Sequence, residues 1–175
     1  ETMLNALHQQ ETKAQEFYGE AIDILYKMQT KGSKHVDGLP LYSKELLMDE
    51  MRLFVDWFCL RHLQIGPEIV DDYGFEAIFD NLAGHALGQS QVFVHRDFHS
   101  RNLIYTNDCN PGVLDFQDAV IGPITYDLVS LLRDCYILLP EKLLTQLLED
   151  YYLNLDSSLK NKMSIKDFLR FFDLM

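Results

Sequence analysis

The chain has 175 residues, 47% of them hydrophobic and 24% charged, and a net charge of −12. That is enough chain for one domain with a real core, and it is too apolar for a disordered one. The acidic balance argues against nucleic acid and against an anionic membrane surface, because the phosphates of such partners need Lys and Arg. No apolar run approaches the roughly 18 residues that a membrane span needs. Glu1-Thr2-Met3-Leu4-Asn5 lacks the basic and apolar regions of a signal peptide. Cys59, Cys109 and Cys135 are isolated thiols without a CxxC pair, as expected of a reduced, cytoplasmic protein. Position 1 is not Met, and the last residues stop inside a helical pattern. Both ends are therefore expected to be cuts in a longer chain.

Thr12-Lys13-Ala14-Gln15 reads as a capping box. Phe17, Ala21, Leu25 and Met28 follow at helical spacing, which predicts an amphipathic helix over 12–30. Residues 31–40 hold two glycines and a proline and read as a loop. Ser43 opens a second helix with Leu46, Leu47, Met51, Phe54, Val55 and Phe58 on its apolar side. Gly66-Pro67 ends it. Asp71 and Asp72 are then expected to cap a third helix running to about Leu87, with Phe75, Ile78, Phe79, Leu82 and Ala86 inward.

The texture changes at Gln91. Val92-Phe93-Val94, Leu103-Ile104-Tyr105 and Val113-Leu114 are short β-type runs. The turn residues 107–112 between the last two predict a hairpin. Helical period returns from Tyr126, with Leu128, Leu131 and Leu132, and two further helices are predicted over 143–153 and 165–174. Ser164-Ile165-Lys166-Asp167 resembles a capping box with Asp in the Glu position. The expected fold class is mainly α with a small β-hairpin insert, and the polar residues of interest sit on that insert.

Asp97, Asn102 and Asp115 follow one another at intervals of five and thirteen residues. In phosphoryl transfer a carboxylate orients an alcohol and accepts its proton, while a divalent cation bridges the phosphates. That cation takes a few hard oxygen ligands. Asn102 offers an amide oxygen and Asp115 a carboxylate, and a hairpin between them would bring both to one side of a cleft. Asp97 follows a strand, on a loop where a side chain is exposed yet held.

His95-Arg96-Asp97, with Asn102 five residues past the Asp, resembles the catalytic loop of the protein-kinase-like superfamily. Val113-Leu114-Asp115-Phe116-Gln117 stands in the place of its metal-binding Asp-Phe-Gly, with Gln117 for Gly. His99, where serine/threonine kinases carry Lys, resembles instead the aminoglycoside phosphotransferase and choline kinase family of small-molecule kinases. Gly122-Pro123 and Tyr126-Asp127-Leu128 complete that family's pattern. Within it, Phe116-Gln117-Asp118-Ala119, the run from Tyr126 to Asp134, Leu39-Pro40-Leu41-Tyr42 and the run from Trp57 to Leu63 are similar to bacterial anomeric kinases of N-acetylmuramate and N-acetylglucosamine.

The resemblance implies ATP and Mg²⁺ as cofactors and a small-molecule acceptor. Asp97 is then the catalytic residue, and Asn102 and Asp115 the metal ligands. Ile104 and Leu114 form an apolar floor under the adenine ring, or pack in the hairpin core. His95 is implied to be buried scaffold, and Asp127 to tie down the catalytic loop through backbone N–H groups. His99 either touches phosphate or substrate or braces the loop. Arg61 and His62 either meet helix-terminal carbonyls or reach an anionic group of the substrate. Asp118 is a candidate for a sugar hydroxyl, and Gln117 and Arg133 for salt-bridge or hairpin roles.

No glycine-rich phosphate loop can be drawn through the nine glycines. No strand-borne Lys precedes the catalytic loop. The resemblance places both on an N-terminal β-rich lobe, so residues 1–175 are expected to be a C-terminal lobe alone, with residues 1–7 as its connector. Alone it is expected to turn over little, since positioning carries this chemistry. Two rival readings are an aminoglycoside or choline-type kinase, whose cationic acceptor the acidic charge would suit, and a non-catalytic pseudokinase-like binding module.

Overall fold

Ala, Leu, Phe and Tyr recurring every three or four residues build most of this molecule, and the helices bury those stripes against one another. In the computed structural model, which describes residues 1–34, 36–106, 110–160 and 162–175, the chain begins with α1 (Met3–Gln9), capped by the Thr2 hydroxyl accepting from Asn5 N at 3.2 Å. The stretch expected to be a connector is thus helical, with Met3, Ala6 and Leu7 buried. A 3₁₀ turn over Glu11–Lys13 leads into α2 (Ala14–Thr30), which buries Phe17, Tyr18, Ala21, Ile22 and Leu25. The expected capping box at Thr12 does not form, because Lys13 holds the cap position without a side-chain bond. Its N–H instead bonds the Gln10 carbonyl at 2.9 Å, closing the 3₁₀ turn.

Ser43 caps α3 (Lys44–Leu53), its Oγ accepting from Leu46 N at 3.2 Å. Beyond Leu53 the backbone changes to a π-helical segment, Phe54–His62. The i→i+5 pattern rotates the stripe predicted from a 3.6 period. Phe54 and Phe58, expected inward, lie 45% and 46% exposed and stack on each other at 5.4 Å. Gly66 and Pro67 start α4 (Pro67–Asp72), with Pro at the first helical position. Asp71 and Asp72 end α4 rather than cap the next helix. Gly74, at φ 65°, makes that turn and caps α5 (Phe75–Leu87). Phe79, Ala83 and Ala86 are its buried face, and Ile78 points outward.

β1 (Gln91–Val94) pairs antiparallel with β4 (Val120–Pro123), while β2 (Leu103–Ile104) pairs with β3 (Gly112–Val113) as the predicted hairpin. Residues 107–109 of its turn, with Cys109, lie outside the described residues. α6 (Tyr126–Leu132), α7 (Glu141–Asn154), a short α8 (Ser157–Lys160) and α9 (Ile165–Leu174) complete the chain. At α9 the capping box of Ser164 and Asp167 forms as expected. A single core cluster runs from Met3 to Phe172, joining α1, α2, α5, α6, α7, α9 and both strand pairs. The fold is therefore mainly helical with small antiparallel strand pairs, as expected of this lobe. No helix among the described residues is long and apolar enough to cross a membrane.

Candidate active site

The loop 95–102 leaves β1 and returns through β2, and its backbone is pinned from two directions. Asp127, fully buried in the first turn of α6, accepts from His95 N at 2.7 Å and Arg96 N at 3.0 Å. Burial pushes the Asp127 carboxyl up to about 7, against the pull of those two donors. At the far end, Asp134 accepts from Ser100 N at 3.0 Å and from the Ser100 hydroxyl. Between these anchors the loop closes on itself, His99 N bonding Asp97 O at 3.1 Å and Asn102 N bonding His99 O at 3.0 Å.

Two residues of the site hold left-handed backbone without being glycine: Arg96 at φ 78° and Asp115 at φ 63°. Such conformations persist only where surrounding bonds over-determine them, and they gather at functional sites. Arg96 is held by Asp127 through its N–H and by Glu50 of α3 through its guanidinium. The same Glu50 carboxylate accepts from the buried Tyr42 hydroxyl. Before Asp115, Leu114 N bonds Asn102 O at 3.0 Å, so the hairpin sets Asp115 against the 95–102 loop.

The outcome is a cleft of about 570 Å³. Asp97, Asn102 and Asp115 line it together with His99, Arg101 and Tyr136, and α1 closes one side through Thr2, Leu4 and Asn5. Asn102 donates its Nδ2 to Asp97 O at 3.0 Å, a bond that does not use its amide oxygen. Together, Asn102 and Asp115 offer two hard oxygen donors. That set suits a magnesium ion completed by phosphate oxygens and water, and not a site held by protein alone.

His95 is fully buried, its Nδ1 accepting from Asp97 N at 3.3 Å, and burial pushes it below its ordinary value. His99 sets its ring edge-on to Tyr136 at 5.8 Å, with Nδ1 buried and without a hydrogen-bond partner among the described residues. Ile104 and Leu114 sit on the hairpin, Leu114 49% exposed, and neither lines the cleft. Arg61 lies over the Trp57 ring at 4.0 Å, and His62 stacks on Phe58 at 5.7 Å, both on the exposed π-helical segment. Asp118 is exposed in the turn before β4. None of these last three lines the cleft. Arg133 pairs with Asp173 at 2.8 Å, a salt bridge as the sequence allowed.

Glu50, Arg101 and Tyr136 escaped the sequence reading, and Asp134 entered it only as part of a longer run. Arg101 sits inside the quoted loop motif, and Asp134 lies one turn past Leu131, so their positions were visible while their partners were not. A larger groove of about 760 Å³ lies beyond Tyr136, lined by α1 and residues 136–146, and its described lining holds no carboxylate.

Residues 2–160 match the phosphotransferase enzyme family. Across its whole length the chain is 39% identical, over 176 aligned positions, to an N-acetylmuramate/N-acetylglucosamine kinase of Pseudomonas aeruginosa, of which it covers 51%. It is 40% identical over 153 residues to the kinase of that name from Neisseria meningitidis, with 86% of this chain and 45% of the relative covered. A third, from Pseudomonas putida, is 38% identical over 135 residues, with 77% of this chain and 39% of the relative covered. The chain thus spans about half the length of the curated relatives it matches.

Proposed function

The chain belongs to the phosphotransferase enzyme family, and we propose that it is the acceptor-side, catalytic portion of an ATP-dependent kinase of N-acetylated amino sugars. One observation carries the reading: Asp97 and Asn102, on a loop pinned by Asp127 and Asp134, share a single cleft with Asp115 after the hairpin. Asp97 accepts a hydrogen bond from the acceptor hydroxyl, aims its oxygen at the γ-phosphorus, and takes the proton as the new P–O bond forms and the bond from the γ-phosphorus to the β–γ bridging oxygen breaks, releasing ADP. The Asn102 amide oxygen and the Asp115 carboxylate would hold Mg²⁺, which supplies charge neutralisation on the nucleotide phosphates. His95, bonded to Asp97 N, keeps the nucleophile's partner in register. Rigid positioning is the main demand of this chemistry, and pinning the loop at both ends serves it.

The names of the relatives support an amino-sugar acceptor. The anomeric hydroxyl is the acceptor we favour, giving the sugar 1-phosphate, and such a step would serve recycling of cell-wall sugars. In the full-length protein, Asp97→Asn is expected to lower kcat on the order of 10²-fold or more while nucleotide binding persists. Sugar-phosphate formation at the wild-type rate by that variant would refute the assignment. Phosphorylation of aminoglycoside cations, with none of amino sugars, would replace the acceptor and keep the mechanism.

A further inference from the structure

We propose that Arg101, laid on the ring of Tyr136, is the residue that recognises an anionic substituent of the acceptor, and so sets preference for a carboxylate-bearing amino sugar over a neutral one. The inference rests on the amino-sugar reading above. Arg101 is the only Lys or Arg among the described residues lining the cleft, in a chain of net charge −12. Its guanidinium carbon lies 5.0 Å from the Tyr136 ring centroid, and Nη1 donates to the Tyr136 hydroxyl at 3.2 Å. Arg52, Arg96 and Arg133 are each paired with a carboxylate. Arg101 makes no such pair among the described residues, although Asp97 and Asp115 line the same cleft. A guanidinium offers five N–H donors in a fixed fork that matches a carboxylate, and here one of them is used within the protein.

The platform is built in register with the catalytic loop. A single carboxylate, Asp134, accepts from Ser100 N, from the Ser100 hydroxyl and from Tyr136 N at 3.0 Å. Ser100 immediately precedes Arg101, so the ring and the guanidinium that rests on it are referenced to one group. Location then separates the acceptor from the nucleotide. Asn102 and Asp115, the pair suited to the phosphates, stand where the hairpin begins and ends. Tyr136 stands on the connection between α6 and α7, and among the described residues it alone lines both the cleft and the 760 Å³ groove beyond it. A sugar whose hydroxyl meets Asp97 would extend toward Tyr136, and a carboxylate on it would meet Arg101. N-acetylmuramate bears a lactyl carboxylate, and N-acetylglucosamine is the same ring without it.

The test measures kcat/KM for both sugars with the full-length protein, as wild type, Arg101→Gln and Arg101→Lys. In Arg101→Gln, the ratio of kcat/KM for N-acetylmuramate to that for N-acetylglucosamine is expected to fall on the order of tenfold or more, through KM, as for loss of a hydrogen bond to a charged group. Arg101→Lys, which keeps the charge and loses the fork, is expected to fall between. Using a ratio cancels any loss of folded enzyme. An unchanged ratio, with both sugars impaired alike, would overturn the inference and leave the amino-sugar reading standing. Phosphorylation of neither sugar by the wild type would overturn both together.

Discussion

Asp127 does two things at once, and they pull against each other. Its carboxylate satisfies two loop N–H groups in full burial, and the same burial lifts it from an ordinary value of 3.8 to about 7. A carboxyl raised in the folded state binds its proton more tightly there than in the unfolded chain. Stability therefore falls as pH rises between those values, and the full cost stands above the upper one. Thermal melts of wild type and Asp127→Asn from pH 4 to pH 8 should show this: between pH 4 and 7 the wild type loses stability relative to the variant, and above pH 7 the difference levels off. Parallel curves would place the carboxyl near its ordinary value. The resemblance implies that Asp127 ties down the loop, and its carboxylate accepts from two loop N–H groups. Asp97, Asn102 and Asp115 are singled out in the sequence by their spacing and line one cleft, while the roles given to them are those proposed above. Glu50 is not singled out. Its partner Arg96 lies 46 positions away in the chain, and no periodicity reports a contact of that range.

Among the elements, β4 shows why a correct motif can hide a strand. Gly122-Pro123 is turn chemistry by local rule, yet Val92 faces Gly122 and Gln91 faces Pro123 in an antiparallel ladder. The glycine is there for packing, not for a turn. The chain before α3 runs beside β4, Tyr42 N donating to Ile121 O at 2.8 Å, and lays the Tyr42 ring over Gly122. A Cβ at Gly122 would stand 2.9 Å from Tyr42 Cδ1 and 3.3 Å from Val94 Cγ2. Gly122→Ala is therefore expected to destabilise the protein by about 1–3 kcal/mol, as overpacking does, and denaturant titration measures it. A change below about 0.5 kcal/mol would mean that Tyr42 yields freely. The π-helical segment is another element the sequence misstated. Leu46, Leu47 and Met51 fit a 3.6 period that the backbone abandons after Leu53, and hydrophobicity alone does not announce a change of pitch. By contrast Ser43 and Ser164 were read correctly, because a cap is satisfied by neighbours three residues away.

Taken whole, the molecule is joined by a few buried polar groups that span its helical layers. Gln29 of α2 is 2% exposed. Its Nε2 donates to Ile124 O at 3.0 Å, just past β4, and its Oε1 accepts from the Tyr151 hydroxyl of α7. Tyr151 in turn stacks on Phe168 of α9 at 5.7 Å. One amide thus couples α2, the entry to α6 and the C-terminal helices, and with them the element that carries Asp127. Gln29→Leu keeps the volume and removes both bonds. It leaves a buried carbonyl and a buried hydroxyl unpaired, at about 1–3 kcal/mol each, so a loss of about 2–6 kcal/mol in global stability is expected. Adding Tyr151→Phe takes away the stranded hydroxyl. The double variant should then be more stable than Gln29→Leu alone, although Tyr151→Phe by itself destabilises the wild type. That change of sign in a double-mutant cycle, followed by urea unfolding, identifies a coupled network. Additive losses would mean that the amide and the phenol act independently and that the layers are joined by apolar packing alone.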